Sequence, residues 1–279
     1  MKILSTTILI LLTFITSGQS SYSKRLNHKG VKQAKKGNHD KALQYFNSAI
    51  QADTNNVDAL MNRGVSYTDI GKNELGLKDL LKAKAKGLND EDIYYNIGVA
   101  YLGLKQYELA IENNKKALEK NNKLKSKGPL VAGIYLNLGV AYDELKQYEL
   151  AIDNYKKSIE KDPKNIDTYI NLGASLSDVK RYKEGIIAFE SALKMNSKLF
   201  DVWQNLGYAN YMLKEYDLAK KDFLEASKLN ENDLWSYYYL YKIYSKSNDK
   251  NNACVNYNKA IELGLKEQDI DEESLIKCK

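Results

Sequence analysis

Large apolar, small and polar positions recur along this chain with a period of 34 residues. Glycines in like surroundings stand at Gly30, Gly64, Gly98, Gly139, Gly173 and Gly207, separated by 34, 34, 41, 34 and 34, and one further step reaches Tyr241. Four residues before each comes a large side chain: Leu26, Leu60, Tyr94, Tyr135, Tyr169, Trp203 and Tyr237. Twelve after come Ala42, Gly76, Ala110, Ala151, Gly185, Ala219 and Ala253, and nineteen after come Ala49, Ala83, Ala117, Ser158, Ala192, Ala226 and Ala260. Small residues at these points let two antiparallel helices approach closely, while the large ones fill the holes between repeats. Gly37 and Gly71 fall where the first helix of a pair should stop and turn. Helices of roughly a dozen residues are too short to stand alone, so stacking neighbours must stabilise them. An internal period of this length signals a solenoid of helix pairs.

These residues resemble the tetratricopeptide repeat family over about residues 23–265. The signature is best kept in Tyr135, Leu138, Gly139, Tyr142, Ala151, Tyr155 and Ser158, followed by Pro163. Repeat one departs at Gln33, repeat three at Asn114, and the last repeat carries Tyr241 for glycine. The resemblance implies an all-α fold, a right-handed α-solenoid of antiparallel helix pairs, with about seven units, a C-terminal capping helix and a concave face that binds.

The seven extra residues lie near 121–131, between repeats three and four. They read either as a lysine-rich loop (Lys120, Lys123, Lys125, Lys127) for an anionic partner or as a lengthened helix ending at Gly128–Pro129. Either way they should split the array into blocks of three and four. Residues 266–279 fall in register for one more first helix, the expected cap. At the other end, Lys2, the apolar stretch Ile3–Ile15 and the small residues Thr16, Ser17 and Gly18 read as a signal peptide over 1–18, followed by a short linker at 19–22. The apolar stretch falls short of the ~20 residues that span a bilayer. The expectation is a periplasmic or secreted protein with no membrane span after signal cleavage. Such an address suits a disulfide between Cys254 and Cys278 clamping the cap, with two unpaired thiols as the alternative.

Composition narrows the chemistry. The net charge of +6 comes almost wholly from lysine, arginine occurring only at Arg25, Arg63 and Arg181, which argues against a nucleic-acid site. His28 and His39, the only histidines, read as repeat variants, and no metal or phosphate-loop spacing appears. The expectation is a protein without catalytic residues, metal or cofactor. A row of Asn62, Asn96, Asn137, Asn171 and Asn205 precedes the glycines by two residues, on the first helix facing the groove. Carboxamides offer donor and acceptor together and can grip an extended peptide backbone. Tyr95, Tyr208 and Trp235 join this candidate peptide-binding set; of the aromatic cluster in repeat seven, Trp235 and Tyr238 are expected to reach the groove beside Tyr208 and Tyr211, and Asp58, Asp92, Asp167 and Asp201 give an acidic margin. The leading reading is an exported adaptor binding a peptide or helix of an unknown protein partner in its groove. The alternatives are a self-associating scaffold of a cell-envelope assembly, which would make it a homo-oligomer, and glycan binding through the aromatic cluster of repeat seven.

Overall fold

The computed structural model describes residues 19–124 and 128–266, together with 270, 276 and 278. Among them are fourteen helices: α1 (19–34), α2 (His39–Ala52), α3 (Val57–Asp69), α4 (Asn73–Ala85), α5 (Glu91–Gly103), α6 (Tyr107–Leu124), α7 (Gly128–Glu144), α8 (Tyr148–Lys161), α9 (Ile166–Asp178), α10 (Tyr182–Met195), α11 (Phe200–Met212), α12 (Tyr216–Leu229), α13 (Leu234–Lys246) and α14 (Lys250–Glu262). Each repeat is an odd-numbered helix followed by an even one, as the period required. Helix α1 already includes 19–22, the stretch expected as a linker. The expected signal peptide lies outside the described residues.

The helices form two compact units that divide between Leu145 and Lys146. In the first, α2 to α7 pack in sequence, and α3 also touches α5, as α5 touches α7. In the second, α8 to α14 pack in sequence, and α9, α11 and α13 touch in the same alternate fashion. Among the described residues no two even helices of a unit are in comparable contact. The odd helices of each unit therefore build a close inner wall, and the even helices splay outward. This is an α-solenoid of tetratricopeptide-like pairs.

The small rows explain the close approach. Ala42, Ala110, Ala151, Ala219 and Ala253, and every member of the second row from Ala49 to Ala260, are 0% exposed. Above the repeat glycines lie the rings of the even helices. A Cβ on Gly30 would stand 2.4 Å from Phe46 Cε1, on Gly173 2.5 Å from Phe189 Cε1, and on Gly207 3.0 Å from Phe223 Cδ1. In repeat three the carboxamide of Asn114 takes the place of the ring, 2.4 Å from such a Cβ on Gly98. Tyr241, in the glycine position of repeat seven, is itself fully buried with its ring 5.3 Å from that of Tyr257.

The turn from odd to even helix has one form throughout. Gly37 and Gly71 have φ of +75° and +76°, and the residues in the same register, Lys105, Lys146, Lys180, Lys214 and Asn248, have φ between 57° and 65°. The following N–H reaches back to the odd helix: Lys72 to Tyr67 O at 2.8 Å, Gln106 to Tyr101 O at 2.9 Å, Arg181 to Leu176 O at 2.8 Å. This is the left-handed close that satisfies the last carbonyls of a helix. Three of the even-to-odd turns use side chains instead. Asn56, Asp90 and Asn165 accept from the N–H of Ala59, Ile93 and Thr168 at the start of α3, α5 and α9.

The inserted residues lengthen both helices of the junction. Helix α6 runs for 18 residues and α7 for 17, against 13 or 14 in the other helices from α2 onward. Pro129 sits in the first turn of α7, where a missing N–H costs nothing. Because α6 and α7 still pack on each other, the expected break into three and four repeats is not where the units divide; that boundary lies one helix further on. The side chains of Lys123, Lys125 and Lys127 lie outside the described residues. So does most of the expected cap, of which Ile276 and Cys278 are not helical. These two and Ile270 pack on the cluster of Tyr238, Tyr241, Ala253 and Ala260. Cys254 and Cys278 form a disulfide, with Cα atoms 5.2 Å apart.

Candidate peptide-binding surface

The asparagine row lies on odd helices, each member half-buried. In the first unit its amides are partly used within the chain. Asn62 Nδ2 donates to Asn27 Oδ1 at 3.0 Å, and Asn96 Nδ2 to Asp92 O, one turn back, at 2.8 Å. Asn137 Nδ2 reaches Asn114 Oδ1 at 3.5 Å. Tyr95 spans from α5 to α7, where its hydroxyl bonds Asn137 and lies against Gly133. Burial raises the Tyr95 hydroxyl's pKa, and the bond to Asn137 works against that rise. Tyr95 and Asn137 thus brace two successive inner helices. A carboxamide has two donor hydrogens and an acceptor oxygen, so among the described residues the single donated bonds of Asn62 and Asn96 leave further capacity.

In the second unit three predicted residues come together. Asn205 and Tyr208 of α11 and Trp235 of α13 line a cavity of about 290 Å³ with Gln204, Phe223 and Tyr239. Trp235 is 53% exposed, its ring edge-on to Tyr238 at 6.0 Å. The Tyr239 ring stacks on Phe223 at 5.1 Å and meets Tyr208 edge-on at 5.6 Å, so a packed floor backs the cavity. Burial drives the Tyr239 hydroxyl well above the usual tyrosine range, and it stays neutral. Gln204 Nε2 donates to the buried Asp233 at 2.6 Å, fixing the amide at the rim. Asn171, on α9, is not among the lining residues.

One expectation is corrected. Tyr238 does not reach the surface: it is 6% exposed and packs with Tyr241. Consecutive residues on a helix point about 100° apart, and it is Tyr239 that faces the cavity. Tyr211 backs the same ring, 5.1 Å from Tyr239. Gln204 and Tyr239 carry no mark of their own in the sequence, and their joint edge with Trp235 depends on the contact between α11 and α13.

The acidic margin is present but has a local cause. Asp58, Asp92, Asp167 and Asp201 are exposed in the first turns of α3, α5, α9 and α11, where carboxylates favour the positive end of a helix. Of the histidines, His39 Nδ1 lies 3.8 Å from Asp69. Among the described residues no three His, Cys, Asp or Glu side chains gather as a metal site, and no helix is long and apolar enough to cross a membrane.

Stacked short helix pairs with an inner wall of odd helices and a surface pocket of rings and amides define a helical-repeat interaction module. The chain belongs to the tetratricopeptide repeat family: models of that repeat match residues 90–164, 154–186, and 25–56 with 200–233, together more than half of it. No curated protein matches it in sequence. Its fold is similar to that of PilF from Pseudomonas aeruginosa, at 16% identity over 78% of this chain and 96% of that one, with a TM-score of 0.67. It is also similar to YrrB, described as a TPR protein with an unusual peptide-binding site, at 18% identity over 68% and 95% of the two chains, TM-score 0.56. MamA is 26% identical over 65% of this chain and 94% of its own, TM-score 0.52. Repeats of this kind are in general interaction modules rather than catalysts.

Proposed function

We propose that this protein is an exported, non-catalytic adaptor that holds an extended peptide or helical segment of another protein against its odd-numbered helices. The observation that carries the reading is the half-exposed Trp235 beside the cavity of Asn205, Tyr208 and Tyr239. A rigid ring with a firm floor and amides at the rim is the usual form of an anchor pocket: burial supplies affinity and the amides fix the segment's direction. The peptide-binding site named for YrrB, a protein of the same fold, supports the reading. Export is supported by the apolar leader over 3–15 and by the Cys254–Cys278 disulfide, since such bonds persist in oxidising compartments.

The test is recovery of a stoichiometric partner by the wild-type protein from the envelope fraction, repeated with the Trp235→Ala and Asn205→Ala variants. Each substitution should weaken the complex by roughly tenfold or more while leaving the helical circular dichroism unchanged. Undiminished binding by the Asn205→Ala, Tyr208→Ala, Trp235→Ala triple variant would rule the pocket out.

A second reading has its own observation. Eleven residues after the repeat glycines, the even helices carry Leu75 (47% exposed), Leu109 (39%), Leu150 (47%) and Leu218 (53%). Repeated exposed leucines suit self-association into a scaffold. Sedimentation would then show an assembly that Leu150→Lys and Leu218→Lys dissolve; a monomer at all concentrations speaks for the adaptor alone.

A further inference from the structure

Fifteen residues after the repeat glycine, five of the even helices carry a polar side chain of one shape: Asp79, Asn113, Asn154, Asp222 and Asn256. The three asparagines turn their amides onto their own helices, donating to the carbonyls of Leu109, Leu150 and Asn252 at 2.8, 2.7 and 2.8 Å. An ionised carboxylate has no proton to donate, so the two aspartates need cations or donors from elsewhere. Asp79, 6% exposed, receives Arg63: Nε reaches Oδ2 at 2.6 Å and Nη2 reaches Oδ1 at 2.8 Å, a two-pronged grip. Asp222 is as deeply buried, 5% exposed, yet the one hydrogen bond to it among the described residues is from Asn210 Nδ2 at 2.7 Å. Where repeat two has Arg63, repeat six has Leu206.

The same repeat also opens a space there. Asn210 occupies the register held by Tyr67, Tyr101, Tyr142 and Tyr244, and the smaller side chain borders a cavity of about 450 Å³ between α10, α11 and α12. Leu193, Trp203 and Leu206 give the cavity apolar walls, and Asp222 lines it. The other charged groups facing it are Glu190 and Lys194 from α10 and Lys221 from α12, all exposed. Within α11 this face, residues 203, 206 and 210, is distinct from the one that lines the Trp235 pocket, residues 204, 205 and 208.

We propose that this outer cavity is a receptor for an arginine side chain of a foreign protein, its aliphatic stem on Leu206 and Trp203 and its guanidinium on Asp222, in the manner of Arg63 on Asp79. Arginine suits such a place better than lysine, because its planar fork matches a carboxylate and is more weakly hydrated, so apolar walls cost it less. The chain has little of its own to offer. Its three arginines are Arg63, held by Asp79; Arg181, held by Glu184 and Glu149; and Arg25, which lies over the Tyr22 ring. Two of the three are thus held by carboxylates within the chain, and the occupant is assigned to another protein; for a second copy only the exposed Arg25 could serve, and Arg25→Ala leaving the self-association state unchanged would set that aside. This site does not rest on the reading of the inner wall.

The test uses acetyl-arginine amide as probe on the full chain, with the Asp222 carboxyl carbon followed by NMR across a pH series. Proton and guanidinium compete for one carboxylate, so the linkage is reciprocal. The arginine probe, with an affinity on the order of 10 mM, should shift the resonance saturably and lower the carboxyl's proton affinity by about threefold or more. Neutral acetyl-citrulline amide, of the same shape, should do neither, and Asp222→Asn should abolish arginine binding. The arginine effect should persist in Trp235→Ala, which separates this site from the inner pocket. No saturable shift, or an equal response to citrulline, overturns the proposal. An equal response to acetyl-lysine amide overturns the assignment to arginine.

Discussion

The ring of Phe189 lies directly over the α-carbon of Gly173, so that a Cβ added to the glycine would meet Cε1, Cδ1 and Cζ at 2.5, 2.7 and 2.8 Å. Phe189 is itself fully buried. Gly173→Ala should therefore destabilise the protein by about 1–3 kcal/mol through overpacking, seen as a lower urea midpoint. Better helix propensity offsets less than 1 kcal/mol of that. A neutral or stabilising effect would show that α9 and α10 can move apart at no cost.

The buried Asp222 makes stability depend on pH. Burial is the main cause that raises its carboxyl pKa to about 6, and Glu190 adds to the rise, while Asn210 and Lys221 pull it down. With the folded pKa above the ordinary 3.8, the folded state holds the proton more tightly. The stability this supplies is complete below the unfolded value and is lost as pH rises through about 6. At about 1.4 kcal/mol per unit, wild type should lose about 2–3 kcal/mol through this group between pH 4 and pH 7.5. Asp222→Asn, the residue of repeats three, four and seven at this register, should gain about 2 kcal/mol at pH 7.5 and almost nothing at pH 4. The check is the difference in melting temperature between the two proteins at each pH; a gain of equal size at both would exclude titration as its cause.

Lys180 and Lys214 hold φ of 59° and 65° in the turns where repeats one and two use glycine. A side chain in that conformation costs about 1 kcal/mol, which glycine avoids. Lys180→Gly and Lys214→Gly should each stabilise the protein by roughly 0.5–1 kcal/mol, after allowing for the greater freedom of glycine in the unfolded chain. Thermal or urea unfolding would read this directly. The matched control, Gly37→Ala, should destabilise by a similar amount, because nothing lies within 4 Å and only the backbone objects.

Reduction of the Cys254–Cys278 disulfide, which joins residues 24 apart, should cost about 3 kcal/mol by freeing the unfolded chain. The Cys278→Ser variant should match the reduced protein and show no further response to reductant. Should wild type melt identically with and without reductant, the bond adds no stability to the fold.

The helix pairs could be read from the chain because they rest on steric rows: a period of small residues leaves no other way to bury Ala49, Ala83 and Ala117 to 0% exposure. Other features depend on facts one row does not carry. Lys105, Lys146, Lys180 and Lys214 look like surface lysines, and only their shared register with Gly37 and Gly71 marks them as turn residues. The asparagine row was legible as a position, but whether an amide faces outward or takes Asn27, Asp92 O or Asn114 is a rotamer choice. Tyr238 and Tyr239 exchanged roles for want of about a hundred degrees of helix rotation. Asp222 keeps the polar row of Asp79, Asn113, Asn154 and Asn256, and the signal lay in its pairing within repeat six with Asn210 in a tyrosine register and with Leu206 where repeat two has Arg63.

Helix α11 turns residues 203, 206 and 210 to the outer cavity and residues 204, 205 and 208 to the Trp235 pocket. One helix thus serves two linings, and a substitution that rotates α11 about its own axis would disturb both together.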